Sequence, residues 1–151
     1  MLQYEYSIAL LTPEGEQNTK IQIFQTLNSE EITTDVTAVL NYNGKEYRGR
    51  GTDYYWIDAI ADLQKSLPND VIIKCCLACR HGSMCPVGNG QNEVFCVKDI
   101  IPEDKADLYF LTEDCKEREN RCRQYFDCCE DYERQSSDCF TYNDYLYYLE
   151  K

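Results

Sequence analysis

Leu2, Tyr4, Tyr6, Ile8 and Leu10 alternate with Gln3, Glu5, Ser7 and Ala9. An apolar residue at every second position predicts a strand with one face on a core and the other in water. Pro13-Glu14-Gly15 supplies a turn, and Lys20-Ile21-Gln22-Ile23 resumes the alternation. Beyond Asn28-Ser29 a third strand sets Val36, Ala38, Leu40 and Tyr42 on one face. Asn43-Gly44 follows, the strongest short hairpin signal, so Lys45 to Arg50 is predicted to return beside that strand.

The period then changes. Gly49 and Gly51 loosen the chain, and Thr52 or Asp53 is placed to cap a helix. Trp56, Ile60, Leu63 and Leu67 fall on one helical face, and Pro68 stops the helix. The opening is therefore a four-stranded antiparallel meander with a helix on its inner face. This order resembles the second half of a double-stranded-RNA-binding domain, which normally carries lysines at the helix start to hold phosphates. Here the helix start reads Asp53-Tyr54-Tyr55-Trp56-Ile57-Asp58. Its charge has the wrong sign for that role.

From Val71 to Ile101 the pattern is a short apolar strand, a cysteine-bearing loop and a second strand around Val94-Phe95-Cys96-Val97, read as a hairpin. After the apolar Leu108-Tyr109-Phe110-Leu111, Thr112 is placed to cap a helix with Glu113 and Asp114 in its first turn. Cys115, Cys122, Tyr125, Cys129 and Tyr132 form the apolar side of that helix, and a tyrosine-rich segment follows Ser136-Ser137. The whole chain, 1–151, reads as a single α+β domain. It has a meander plus helix over 1–70, a cysteine-bearing hairpin over 71–101 and an acidic helical part over 102–151. The expected fold is an antiparallel sheet, the four-stranded meander plus a second short hairpin, with two main helices packed on it.

Charge narrows the function. The chain carries 27 acids against 15 bases, a net charge of −12. That argues against nucleic acid, which needs clustered Lys and Arg, and against anionic membrane surfaces. Residues 99–151 hold 15 acids and 7 bases, so −8 of the −12 lies there. Glu130, Asp131 and Glu133 are the candidate contacts for a basic protein partner; plain solubility is the other reading of the same charge. The amino terminus, Met1-Leu2-Gln3-Tyr4-Glu5-Tyr6, has no basic start and no long apolar run. No run of about 18 apolar residues occurs to span a membrane. A cytoplasmic protein with reduced thiols is the expectation. The adjacent pairs Cys75-Cys76 and Cys128-Cys129 also fit poorly with a disulfide framework.

Of the ten cysteines, Cys75, Cys76, Cys79, Cys85 and Cys96 cluster near the middle of the chain. Cys76 and Cys79 have the Cys-x2-Cys spacing that lets two thiolates face one cation, and tetrahedral zinc takes four such ligands at about 2.3 Å. Cys85 and Cys96 complete the candidate set, with His81 as the alternative ligand. The other reading makes these cysteines small buried hydrophobes. The closely spaced run of a ferredoxin cluster is absent. Arg80-His81-Gly82-Ser83 reads as loop rather than the helix a thioredoxin-like pair requires. Cys115, Cys122 and Cys129, seven apart, read as packing, and Cys128 and Cys139 have no assigned place.

Gly51-Thr52-Asp53-Tyr54-Tyr55, a helix to Leu67, Cys76-Leu77-Ala78-Cys79, Pro86, Gly88-Asn89 and Phe95-Cys96 resemble a family of small bacterial proteins found in the company of toxin–immunity systems. The similarity covers about a third of the chain. It implies a bacterial cytoplasmic setting and supplies no catalytic residues. Three functions follow: an immunity or inhibitor protein covering a basic partner, an enzyme using a metal or thiol at the cluster, or a structural protein that assembles with itself. A single histidine and the lack of a Ser-His-Asp, Cys-His-Asp or phosphate-loop pattern weigh towards binding.

Overall fold

The computed structural model describes residues 1–86, 88 and 90–151; Asn89 of the Gly88-Asn89 motif lies outside the described residues. In chain order the elements are β1 (Leu2–Thr12), β2 (Gly15–Leu27), β3 (Thr33–Tyr42), β4 (Lys45–Gly51), α1 (Ile57–Ser66), β5 (Ile72–Lys74), β6 (Gly82–Ser83), β7 (Glu93–Cys96), α2 (Lys105–Glu113), α3 (Cys115–Arg121), β8 (Cys122–Gln124) and α4 (Tyr145–Glu150). The fold is α+β. The backbone groups into two compact units, Met1–Lys74 with Asp144–Lys151, and Cys75–Asn143. Among the described residues no helix is long and apolar enough to cross a membrane.

The first unit holds a five-stranded antiparallel sheet in the order β4-β3-β2-β1-β5. Its meander forms in the register that alternation and turns dictate. Tyr42 pairs with Lys45 across Asn43-Gly44, both at positive φ as a two-residue hairpin turn demands. Val36, Ala38 and Leu40 are all buried. The fifth strand is a departure. Ile72–Lys74 does not pair with the Val94 strand but lies against Ala9–Leu11 of β1. Gln64 on α1 holds it there, accepting from the Ile73 N–H at 2.8 Å and donating to the Val71 carbonyl at 2.9 Å.

Helix α1 presents Ile60 and Leu63 to the core, as its spacing predicts, but it starts later than Thr52 or Asp53. Asp53 instead turns the chain, accepting from Tyr55 N–H at 2.9 Å, and Trp56 takes a left-handed conformation just before the helix. That backbone turn puts the buried indole 4.9 Å from the Tyr4 ring, with its N–H donating to Gln25 at 3.3 Å. Gly49 has a positional reason beyond looseness. A Cβ there would collide with the backbone of Ala59 and Leu63, so α1 crosses β4 at near backbone contact. Asp62 and Asp58 accept from the N–H groups of Arg50 and Thr52 at 2.8 Å, satisfying donors at the edge of the sheet.

The second unit has a small sheet, β6-β7-β8, and the helices α2 and α3. The single helix expected from Thr112 through Tyr132 is not formed. Asp104 caps α2, accepting from Asp107 N–H, and Thr112 lies buried inside that helix. Asp114 then caps α3, accepting from Lys116 and Glu117 N–H at 2.9 and 3.0 Å. Beyond Arg121 the chain becomes strand, because Cys122–Gln124 pairs with Glu93–Phe95. Cys115 and Cys129 are exposed, so the seven-residue repeat marks no packed helix face. Arg121 closes this arrangement with two bonds to Asp99 (2.6 and 2.8 Å) and one each to Glu117 and the Cys96 carbonyl.

In urea denaturation, Ile60→Ala is expected to cost about 2–5 kcal/mol, as core truncations do. Gly49→Ala is expected to destabilise visibly, since either α1 or β4 must shift. Exposed Tyr54→Ala should stay within about 0.5 kcal/mol. Asp58 is no neutral control, because its carboxylate also accepts from Ala59 N–H at 2.8 Å. Equal tolerance at Ile60, Gly49 and Tyr54 contradicts this packing.

Candidate functional site

The chemistry-bearing residues lie in the second unit. At Cys76–Cys79 the backbone turns tightly: Ala78 N–H donates to the Cys75 carbonyl (3.1 Å), Cys79 N–H to Cys76 (3.3 Å) and Gly82 N–H to Cys79 (3.0 Å). A Cβ on Gly82 would collide with the Cys76 carbonyl, so only glycine closes this loop. Gly82 pairs with Cys96 across β6 and β7, and Val97 N–H donates to the His81 carbonyl at 2.9 Å. On the loop's other flank, Cys76 N–H donates to the Asp127 carbonyl at 2.7 Å. Arg80 N–H donates to the Glu133 carbonyl at 2.9 Å, and Cys79 bridges to Arg134. The segment between those two anchors carries Cys128 and Cys129.

Cys76, Cys79 and Cys96 are brought into one neighbourhood. Burial pushes the Cys76 thiol up, and Cys75, Asp127, Cys79 and Cys96 beside it push the same way. The Cys79 thiol is raised first by burial, with Cys96 and Cys129 adding; the N–H groups of Glu133 and His81 face its sulfur and pull it back. His81 N–H lies 3.5 Å from that sulfur. Cys75 is fully buried, and burial pushes its thiol up to about 12. Cys85 stands elsewhere, its buried thiol donating to the Thr112 hydroxyl at 3.3 Å. The His81 ring is engaged with Glu133 at 2.9 Å. Among the described residues, no three His, Cys, Asp or Glu side chains already converge as a metal ion needs.

Beside the cysteine loop lies a recess of about 690 Å³, lined by His81, Lys98, Asp99, Tyr132 and the three carboxylates Glu130, Asp131 and Glu133. Three of the four carboxylates are paired, Asp131 with Lys98, Glu133 with His81 and Asp99 with Arg121. Lys98 bonds Asp131 at 2.7 Å, which raises the ammonium and lowers the carboxyl. Arg121 holds the Asp99 carboxyl down at about 2. Because the folded value is depressed, the stabilisation from this pair is present above the ordinary carboxylate range and is lost as pH falls towards 2. Asp99 is exposed, so solvent screening keeps that contribution small.

Sequence reasoning chose the three carboxylates but missed Lys98, Asp99 and Tyr132, which join them only through the pairing of distant segments. No protein-family model matches the chain, and no curated protein matches its sequence significantly. The resemblance over Thr52–Asp99 therefore rests on its short motifs.

In reduced, metal-free protein near neutral pH, limited alkylation is expected to modify exposed Cys115, Cys128 and Cys129 first and Cys75 last. Peptide mass mapping reads the order. Early labelling of Cys75 contradicts its burial.

Proposed function

We propose that this chain is a small acidic binding protein that covers a basic protein partner, in the manner of an immunity or inhibitor protein. The recess bounded by Glu130, Asp131 and Glu133 receives a cationic side chain of that partner. The observation that carries the reading is the convergence of these three carboxylates with Asp99 around one concavity. Tyr132 also lines the recess, and an aromatic ring attracts a guanidinium or ammonium group. The excess of acids over residues 99–151 would steer such a partner in from a distance, raising the association rate more than it slows release. The resemblance to proteins found beside toxin–immunity systems supports the same reading.

The test uses a lysine- and arginine-rich peptide beside a neutral one of equal length. In nuclear magnetic resonance titrations the basic peptide is expected to shift Lys98, Asp99 and residues 130–133, and the neutral one to shift none of them. Raising salt should weaken the interaction steeply, since exposed charges are screened within about 8–10 Å. The triple change Glu130→Gln, Asp131→Asn, Glu133→Gln should slow association more than it speeds dissociation. Binding indifferent to salt and to the triple change, or centred on other residues, refutes the recess as the contact.

A further inference from the structure

The five-stranded sheet of the first unit carries an inference that stands apart from the acidic recess. Side chains of α1 satisfy outward backbone groups on both outer strands. Asp62 and Asp58 accept from Arg50 and Thr52 beside β4, and Gln64 takes the Val71 carbonyl and the Ile73 N–H beside β5. Because Ile73 turns outward, Ile72 and Lys74 turn inward to Leu11 and Ala9 of β1. Every second residue before Ala9 faces the same way, so Ser7, Glu5 and Gln3 direct their N–H and carbonyl groups to the edge that β5 leaves at Ala9. Among the described residues no strand continues β5 there, and no backbone bond reaches those three from that side. An open edge of this kind is a template for another strand. We propose that this edge of β1 pairs with the same edge of a second copy of the chain, antiparallel about a two-fold axis.

The residues of the edge decide both the occupant and the register. A two-fold pairing repeats each contact, so the edge must be complementary to itself. Centred on Tyr6, it would bring Gln3 of the second copy opposite Ala9, the place that Lys74 holds. Centred on Glu5, it would set two carboxylates directly opposite each other, which is destabilising. Centred on Tyr4, it avoids both. Gln3 then lies opposite Glu5 of the second copy, where the two exchange backbone bonds and an amide meets a carboxylate on the exposed outer face. On the inner face Tyr4 meets its own copy and Leu2 meets Tyr6 of the second copy, aromatic and apolar pairs that support a sheet. That face has surface left to bury. Leu2 is 42% exposed, and Tyr4 and Tyr6 are half-buried with their rings 4.9 and 6.3 Å from that of Trp56. The pairing joins the two five-stranded sheets into one continuous sheet.

Sedimentation velocity is run in reducing buffer, which excludes disulfide-linked pairs through exposed Cys115, Cys128 and Cys129. It is expected to show a reversible monomer–dimer equilibrium. Raising salt should tighten the dimer, because each copy carries a net charge of −12, whereas salt weakens the binding of a basic peptide at the recess. Gln3→Pro removes an N–H that the folded monomer leaves unbonded, and the two-fold axis removes it twice, so the dimer should weaken at least about tenfold. Gln3→Ala keeps that N–H and should cost much less. If Gln3→Pro fails to fold, hydrogen exchange on the wild-type chain decides: the Gln3 and Glu5 amides should gain protection with concentration, and that of Arg48 on β4 should not. A monomer at every concentration, a dimer unchanged in folded Gln3→Pro, or protection that does not rise at Gln3 and Glu5 overturns the paired edge. None of these outcomes bears on peptide binding at the recess.

Discussion

The second unit depends on satisfying the backbone of one loop. Between Cys75 and Ser83 the chain is largely buried and has little regular structure, so its carbonyls and N–H groups need partners from outside the loop. They come from far along the chain. The Gln135 side chain donates to the carbonyls of Leu77 and Cys79, that of Asn143 to Leu77 and Gly82, and that of Thr141 to Arg80. Leu77 N–H donates to the Tyr125 carbonyl at 3.1 Å. Each of these bonds fixes part of the irregular stretch from Tyr125 to Asn143, which has few elements of its own. A loop that reads as punctuation in the sequence is thus the framework to which the following segments attach.

The same framework explains why the candidate chemistry gathers where it does. His81 and Lys98 meet Glu133 and Asp131 because Arg80 pairs with Glu133 and His81 with Val97. The recess and the Cys76–Cys79 turn share these backbone pairings. In the first unit the same polar residues serve structure instead. Gln25, Asp58, Asp62 and Gln64 all spend their side chains on backbone or indole N–H groups.

Sequence and structure agree most where a pattern is local. The meander was legible because period-two alternation and the Asn43-Gly44 turn act over a few residues, and one register buries Val36, Ala38 and Leu40 together. The α1 face was legible for the same reason, although its start was not. Trp56 gives up a conventional cap to place its ring against Tyr4, and that trade is invisible without the sheet. The strand at Ile72 failed as a hairpin partner for Val94 because Gln64, not a turn, decides where it pairs. The supposed helix beyond Thr112 failed because Asp114 offers a second cap and Cys122–Gln124 finds a strand to join.

By itself, then, the sequence determined the α+β class, the antiparallel opening, the buried face of the first helix and the acidic excess of the last third, since each depends on composition or on neighbours within a turn or two. Spacing also nominated Cys85 beside Cys76, Cys79 and Cys96, whereas its thiol bonds Thr112. Only the tertiary structure decided that Cys85 belongs with Thr112 and that Asp99 and Lys98 join the three carboxylates around one recess. The reason is physical: those meetings are made by backbone bonds between segments tens of residues apart, and no periodicity along the chain records which distant carbonyl an N–H group will find.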